Sequence, residues 1–332
     1  MKLKDLGEDA LIDIIAAAYS PATGNGIEKA LGDDTSVTTQ EGSRLSTLVT
    51  TDTLVEGLHF KDSYSTPYLI GKKLLSVSLS DIAAMGARAK YFLISLVLSP
   101  ECTDDYVKEL YRGLNERAEE AGVALIGGNT TSAGNGTNVM TSTVIGEAQA
   151  EKIIYREGAS AGEDIYMTGT VGDSALGLKV LGEDLNEPYK DAVRRHLDPQ
   201  ARSEAGALLG ERSLATSMLD ISDGFMKDLS RLTTAGKVGA KMMLTDLPLS
   251  TDTAKYIELT PKGYDLLLSG GEDYELLFTA KKGKAMDIQS ISKELGLRIT
   301  NIGETTGEEE IIIVDHENKP VELKLKGFEH FK

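Results

Sequence analysis

Apolar and polar positions along this chain follow two different periods, and the changes of period mark its elements. Leu11, Ile12, Ile14 and Ile15 predict a helix over Leu6–Ser20. Turns follow at Thr23–Gly26 and at Gly32-Asp33-Asp34, and Leu45–Leu54, rich in Thr, Val and Leu, reads as a strand. Pro67 opens a long apolar helix from Tyr68, with Gly86 as its stop signal. Tyr91–Leu98 is dense in β-branched and aromatic residues and reads as a buried strand. Asp104 is a candidate cap for a helix to about Ala121, ended by Gly122, and Val123–Ile126 and Val139–Glu147 read as strands.

A second unit begins between Ala148 and Asp164, around Arg156-Glu157-Gly158-Ala159, so domains of 1–150 and 151–332 are expected. Its candidate strands are Ile165–Val171, Leu266–Leu268, Tyr274–Thr279, Ile311–Val314 and Val321–Leu325. Its candidate helices are Ser203–Glu211, Gly224–Ala235 and Lys284–Leu295. Strands and helices interleave in both halves, which predicts an α/β (or α+β) class. A length of 332 residues fits two domains at roughly 100–200 residues each.

Charge narrows the partners. Lys and Arg number 35 against 52 Asp and Glu, a net charge of −17. That excess of acids argues against a nucleic-acid backbone or an anionic membrane surface as partner. A single cysteine, Cys102, permits neither an intrachain disulfide nor a Cys-based zinc site. The start Met1-Lys2-Leu3-Lys4-Asp5 lacks an apolar core, so no signal peptide is expected. Apolar runs such as Tyr91–Leu98 are too short to span a bilayer, and a cytoplasmic protein is expected.

A P-loop, a G-x-G-x-x-G turn after a strand and H-E-x-x-H are all absent. What stands out is a set of acids at glycine turns and element ends: Asp33, Asp34, Asp52, Asp81, Asp220, Asp223, Glu272 and Asp273. Asp81 is the sharpest, because it interrupts Leu74, Leu75, Val77, Leu79, Ile82 and Ala83. A carboxylate there lies either on a narrow exposed strip or in the interior, where it needs a partner or a metal. Singly, each of these acids also reads as a turn residue or helix cap. Together, hard oxygen donors without a His or Cys cluster favour Mg²⁺ over Zn²⁺. Gly127-Gly128-Asn129-Thr130-Thr131 reads either as a plain turn or as a glycine pair letting backbone N–H groups approach a phosphate.

In order, Gly32-Asp33-Asp34, Thr51–Phe60 (TDTLVEGLHF), Leu79–Ala87 (LSDIAAMGA), Gly127–Thr131, Asp220–Gly224 (DISDG) and Gly270–Leu276 (GGEDYEL) resemble the thiamine-monophosphate kinase family. The tail Lys326–Phe331 is also similar. The shorter pieces are shared with the wider superfamily of aminoimidazole-ribonucleotide synthetase-like enzymes. The resemblance implies two α/β domains of that type, with the N-terminal domains pairing in a homodimer. It implies transfer of the ATP γ-phosphate to thiamine phosphate in a cleft holding several Mg²⁺. By the same resemblance, Asp34, Thr50, Thr51, Asp52, Asp81, Asn129, Asp220 and Asp223 match metal-holding positions, with Asp52, Asp81 and Asp220 taken as catalytic. Tyr111, Gly128, Asn129, Arg156 and Ser222 match nucleotide-contacting positions, and His59, Glu272 and Phe328 match acceptor-contacting ones. Asn129 stands where many members carry Asp; it keeps a carbonyl oxygen and loses the charge.

The nearest rival is another enzyme of the same superfamily. Selenophosphate synthetase and the hydrogenase-maturation enzyme share the layout but depend on a cysteine (or its selenium analogue) near one end, whereas Cys102 is mid-chain. Aminoimidazole-ribonucleotide synthetase is not dismissed by composition, but Thr51–Phe60 and Gly270–Leu276 fit it poorly. A non-catalytic binder of divalent cations is the other, and the sequence has no EF-hand loop.

Overall fold

The computed structural model describes residues 8–18, 26–134, 136–183, 187–260 and 262–321. Two six-stranded mixed sheets organise it. The first contains β1 (Ile27–Lys29), β2 (Ser36–Thr39), β3 (Leu45–Val55), β4 (Arg88–Leu98), β5 (Ala124–Ser132) and β6 (Val139–Gln149). They lie in the order β1-β2-β3-β6-β4-β5, antiparallel except for the β4–β5 pair. The second contains β7 (Asp164–Thr168), β8 (Ser217–Asp220), β9 (Gly239–Met243), β10 (Leu276–Ala280), β11 (Ile299–Thr306) and β12 (Ile311–Val314). Its order is β12-β9-β11-β7-β10-β8, with only β9–β12 parallel. The sheets divide between Gln149 and Asp164.

The Pro67–Ala84 helix is the central element. Thr66 caps it by accepting from the Leu69 N–H, Pro67 sits in its first turn, and Gly86 at φ +69° follows its end. One side packs on β3 and β6, and the Asp104–Ala121 helix crosses another side. That crossing is close: a Cβ at Gly71 would lie 2.0 Å from the Leu110 carbonyl, and one at Gly113 1.9 Å from the Tyr68 carbonyl. Its last turn leaves the first domain's core, since Ala83 and Ala84 belong to a cluster with Ala205, Leu208, Leu209 and Phe278. Tyr274 makes the reverse crossing and packs into the first core. The interface between domains is thus partly apolar core.

Several expectations need correction. Leu266–Leu268 lies in a helix, Gly263–Ser269, where Leu267 and Leu268 are buried. Thr103, not Asp104, caps the next long helix; Asp104 and Asp105 occupy its first turn, where carboxylates suit the helix dipole. Gly127 and Gly128 are not a turn but the middle of β5. Strand β10 starts at Leu276, because Glu272 and Tyr274 have φ of +67° and +51°. The expected strand Val321–Leu325 lies, beyond Val321, outside the described residues.

Candidate active site

Three carboxylates from separate parts of the chain converge. Asp34 follows the Gly32 turn, Asp81 lies near the end of the Pro67–Ala84 helix, and Asp220 ends β8. One oxygen from each lies within 4.8 Å of the others. Strand alternation adds two more groups. Leu48 and Leu54 of β3 are buried beneath the helix, so Thr50 and Asp52 point the same way. The Thr50 hydroxyl donates to Asp81 Oδ2, and Ser80 Oγ donates to Asp220 Oδ2 at 2.5 Å. Asp52 Oδ2 is buried with no hydrogen-bond partner.

Burial, and then the charges of Asp52, Asp220 and Asp34, pushes the Asp81 carboxyl well above its ordinary range. Asp220 is raised by burial first and then by Asp34, and Asp52 is raised chiefly by burial. Charged oxygens crowded in this way gain by taking up protons or a cation. The set is all hard oxygen, and one buried oxygen has no partner, so the residues suit Mg²⁺. Asp81 is therefore no helix cap: it is the one half-buried position in the otherwise buried run Ile70–Met85, with a carboxylate oxygen in the cluster.

Arg156, from the segment joining the sheets, pairs with Asp34 through Nη2 and, at 3.3 Å, Nε. Asp33 turns instead toward Lys29 at 3.5 Å and accepts from the Arg156 backbone N–H. Ser222 and Asp223 form the turn after β8. Asp223 pairs with Arg231 at 2.7 Å and Lys227 at 2.9 Å; burial raises its carboxyl, but these cations outweigh it and hold it low. Asp273 accepts from the N–H groups of Gly172 and Ser174 and so caps the Asp173–Gly182 helix.

Other expected residues lie elsewhere. The Thr51 hydroxyl faces the opposite side of β3 and bonds to Ser142 O and Thr143. Asn129 shares that face, since Asn129 is in register with Ser95 and Ser95 with Thr141. Gly128 is opposite Ile94, whose carbonyl would be 2.0 Å from an added Cβ. Tyr111 packs against the first domain's core from the Asp104–Ala121 helix. Phe328 lies outside the described residues.

A second group of polar residues flanks the acids. Glu272 Oε1 forms an ion pair with Lys73 Nζ at 2.8 Å, and Lys73 also donates to the His59 carbonyl at 3.2 Å. Burial raises the Glu272 carboxyl, but the Lys73 ammonium outweighs it and the net shift is down. His59 is held in turn by the Val55 N–H, which donates to its Nδ1. His196 is buried, with Nδ1 3.0 Å from Ser174 Oγ and 3.6 Å from Glu272 Oε2. Burial lowers its pKa to about 3, so the ring is neutral at neutral pH. The phenol of Tyr274 is pushed up by burial and then by the charges of Glu272, Asp52, Asp220 and Asp81, members of both groups. Lys73 and His196 escaped the sequence reading. Lys72-Lys73 inside an apolar helix was the available signal, of the same kind as Asp81.

Known proteins match this architecture. Residues 32–148 match the family model for the N-terminal domain of AIR synthase related protein, and residues 160–316 match that for its C-terminal domain. The thiamine-monophosphate kinase of Bacillus subtilis (strain 168) is 34% identical over 314 residues, covering 92% of this chain and 94% of that protein. That of Aquifex aeolicus (strain VF5) is 35% identical over 336 residues, covering 100% of both. Among solved structures, AaThiL complexed with AMPPCP and TMP superposes with a TM-score of 0.84 at 32% identity, covering 99% of each chain. With near-complete coverage in both sequence and structure, the chain belongs to the thiamine-monophosphate kinase family of AIR synthase-related proteins.

Proposed function

We propose that this protein transfers the γ-phosphate of ATP to thiamine phosphate, giving ADP and thiamine diphosphate. The observation that carries the chemistry is the convergence of Asp34, Asp81 and Asp220 within 4.8 Å across two domains. The bound AMPPCP and TMP of the related AaThiL support a site for a nucleotide and a second ligand. The division of labour follows the expected domains, 1–150 and 151–332.

Asp34, Thr50, Asp52, Asp81 and Asp220 would hold Mg²⁺, which would supply the positive charge that two phosphate-bearing substrates need to come together. Arg156 is the cation placed to clamp a phosphate, at the cost of its contact with Asp34. The acceptor is a phosphate monoester with a second pKa near about 6, so its oxygen is already ionised at neutral pH. No general base is then required, and transfer is direct and in line, without a phosphoenzyme. Glu272, with His59 beside it, faces the cationic thiazolium ring of the acceptor.

The test is formation of thiamine diphosphate from ATP and thiamine phosphate, with bare thiamine as control. No product from thiamine phosphate overturns the reading, and a phosphorylated protein competent to complete the transfer overturns the direct mechanism.

We infer also that two copies pair through the first sheet. Strand β5 is an edge strand whose nine residues are all exposed, Leu125 and Ile126 among them, and such an edge needs a cover. Sedimentation at the mass of one chain at micromolar concentration overturns that reading. Among the described residues no helix is long and apolar enough to cross a membrane, and we take the cytoplasm as the site of action.

A further inference from the structure

We propose that Lys73 is a positioning residue of the acceptor site, holding the Glu272 carboxylate of the second domain against the His59 loop of the first so that it meets the cationic ring. This rests on the reading of Glu272 as an acceptor ligand.

Lys73 is 3% exposed, and a buried ammonium must be paired. Its neighbour Lys72 points away around the helix to Glu116, Glu120 and Asp198. Lys73 instead reaches Glu272 and the His59 carbonyl, joining both acceptor candidates across the interface. The backbone of Glu272 is held independently. Its N–H donates to Ser222 O at 2.8 Å, and Gly271 packs where a Cβ would lie 2.1 Å from the same carbonyl. What remains free in Glu272 is side-chain rotation, and Lys73 fixes it from one oxygen only. Oε2 meets the neutral His196 at 3.6 Å, and the side chain as a whole keeps 22% exposure, so a cationic ligand can reach it.

The test is steady-state kinetics on Lys73→Met, Lys73→Arg, Glu272→Gln and the double variant Lys73→Met/Glu272→Gln, with melting curves for each. Lys73→Met is expected to raise KM for thiamine phosphate by about tenfold or more, while KM for ATP stays within about twofold. Lys73→Arg recovers part of the loss. The double variant orphans neither charge, so it folds even where Lys73→Met does not. Because Lys73 acts through Glu272, the double variant should match Glu272→Gln within about twofold. Unchanged KM in the Lys73 variants overturns the proposal. So does a double variant markedly worse than Glu272→Gln, or a parallel rise in both KM values. If Glu272→Gln itself leaves KM for thiamine phosphate unchanged, the reading of Glu272 as an acceptor ligand falls, and the proposal with it.

Discussion

Asp52 shows what a single side chain at this site must reconcile. Its Oδ2 is buried without a partner, and burial raises its carboxyl. Asp52→Asn keeps the shape and removes the charge. It should lower kcat by about 10²-fold or more if a contact that strengthens in the transition state is lost. In the same variant the metal-free protein should melt higher than wild type, because the buried repulsion with Asp81 and Asp34 is relieved. A wild-type kcat with unchanged Mg²⁺ dependence refutes the role. His196 makes a different residue-scale prediction. Folded, it resists protonation until about pH 3, whereas the unfolded chain takes up a proton near 6.5. Between those values the unfolded state binds more protons, so stability falls as pH falls, by up to about 1.4 kcal/mol per pH unit. Asp33 and Asp228, raised by burial to about 6 and about 7, act in the opposite sense, since their folded forms hold protons that the unfolded chain has lost. The comparison must therefore be with His196→Gln. Urea midpoints at pH 7 and pH 5 should show wild type losing more stability than the variant, and equal losses remove His196 from the account.

The decisive element is the Gly270–Tyr274 turn, which carries Glu272 out of the second domain. A Cβ at Gly271 would lie 2.1 Å from Ser222 O, and Tyr274 N donates to Ile221 O at 2.9 Å. Gly271→Val should therefore push this turn off the β8 end, costing roughly 1–3 kcal/mol by overpacking and impairing turnover as Glu272 moves. Wild-type melting and kcat in that variant contradict the argument. Elements like these differ in how far the sequence reveals them. The Ser203–Glu211 helix was readable to the residue because its termini coincide with its pattern. Leu266–Leu268 was not, since a short apolar run has no period to separate strand from buried helix. Strand β8, four buried residues, offered no alternation either. The acids were legible because a carboxylate among apolar side chains is anomalous wherever it folds. The partner that Lys73 and His196 share, Glu272, lies far along the chain, and no local pattern encodes it. The split of Thr51 and Asn129 from Asp52 needed the strand register, which only the assembled sheet supplies.

For the whole molecule, the excess of 17 negative charges first served to exclude polyanionic partners. Eight prominent acids at one site would have explained nearly half of it. The structure distributes them differently. Asp273 caps a helix, while Asp33, Asp34, Asp223 and Glu272 face Lys or Arg side chains. Asp52, Asp81 and Asp220 have no ion pair among the described residues, and Asp34 joins them through a cation, Arg156, that a nucleotide would also attract. Two phosphate-bearing substrates approaching those carboxylates meet net repulsion until a divalent cation is present. Ligand stabilisation follows from that order. In EDTA, AMPPCP alone should barely shift the melting temperature. Mg²⁺ alone should shift it modestly, and Mg²⁺ with AMPPCP should shift it most, since saturation at about 100 times Kd adds about 2.7 kcal/mol. A full effect from metal alone would indicate a cation-binding protein and not a kinase. The shift should move one transition, because Ala83 and Ala84 complete the second domain's core and Tyr274 enters the first. Two separable transitions, with only one responding to AMPPCP and Mg²⁺, would show that the acids of the two domains do not act as one site.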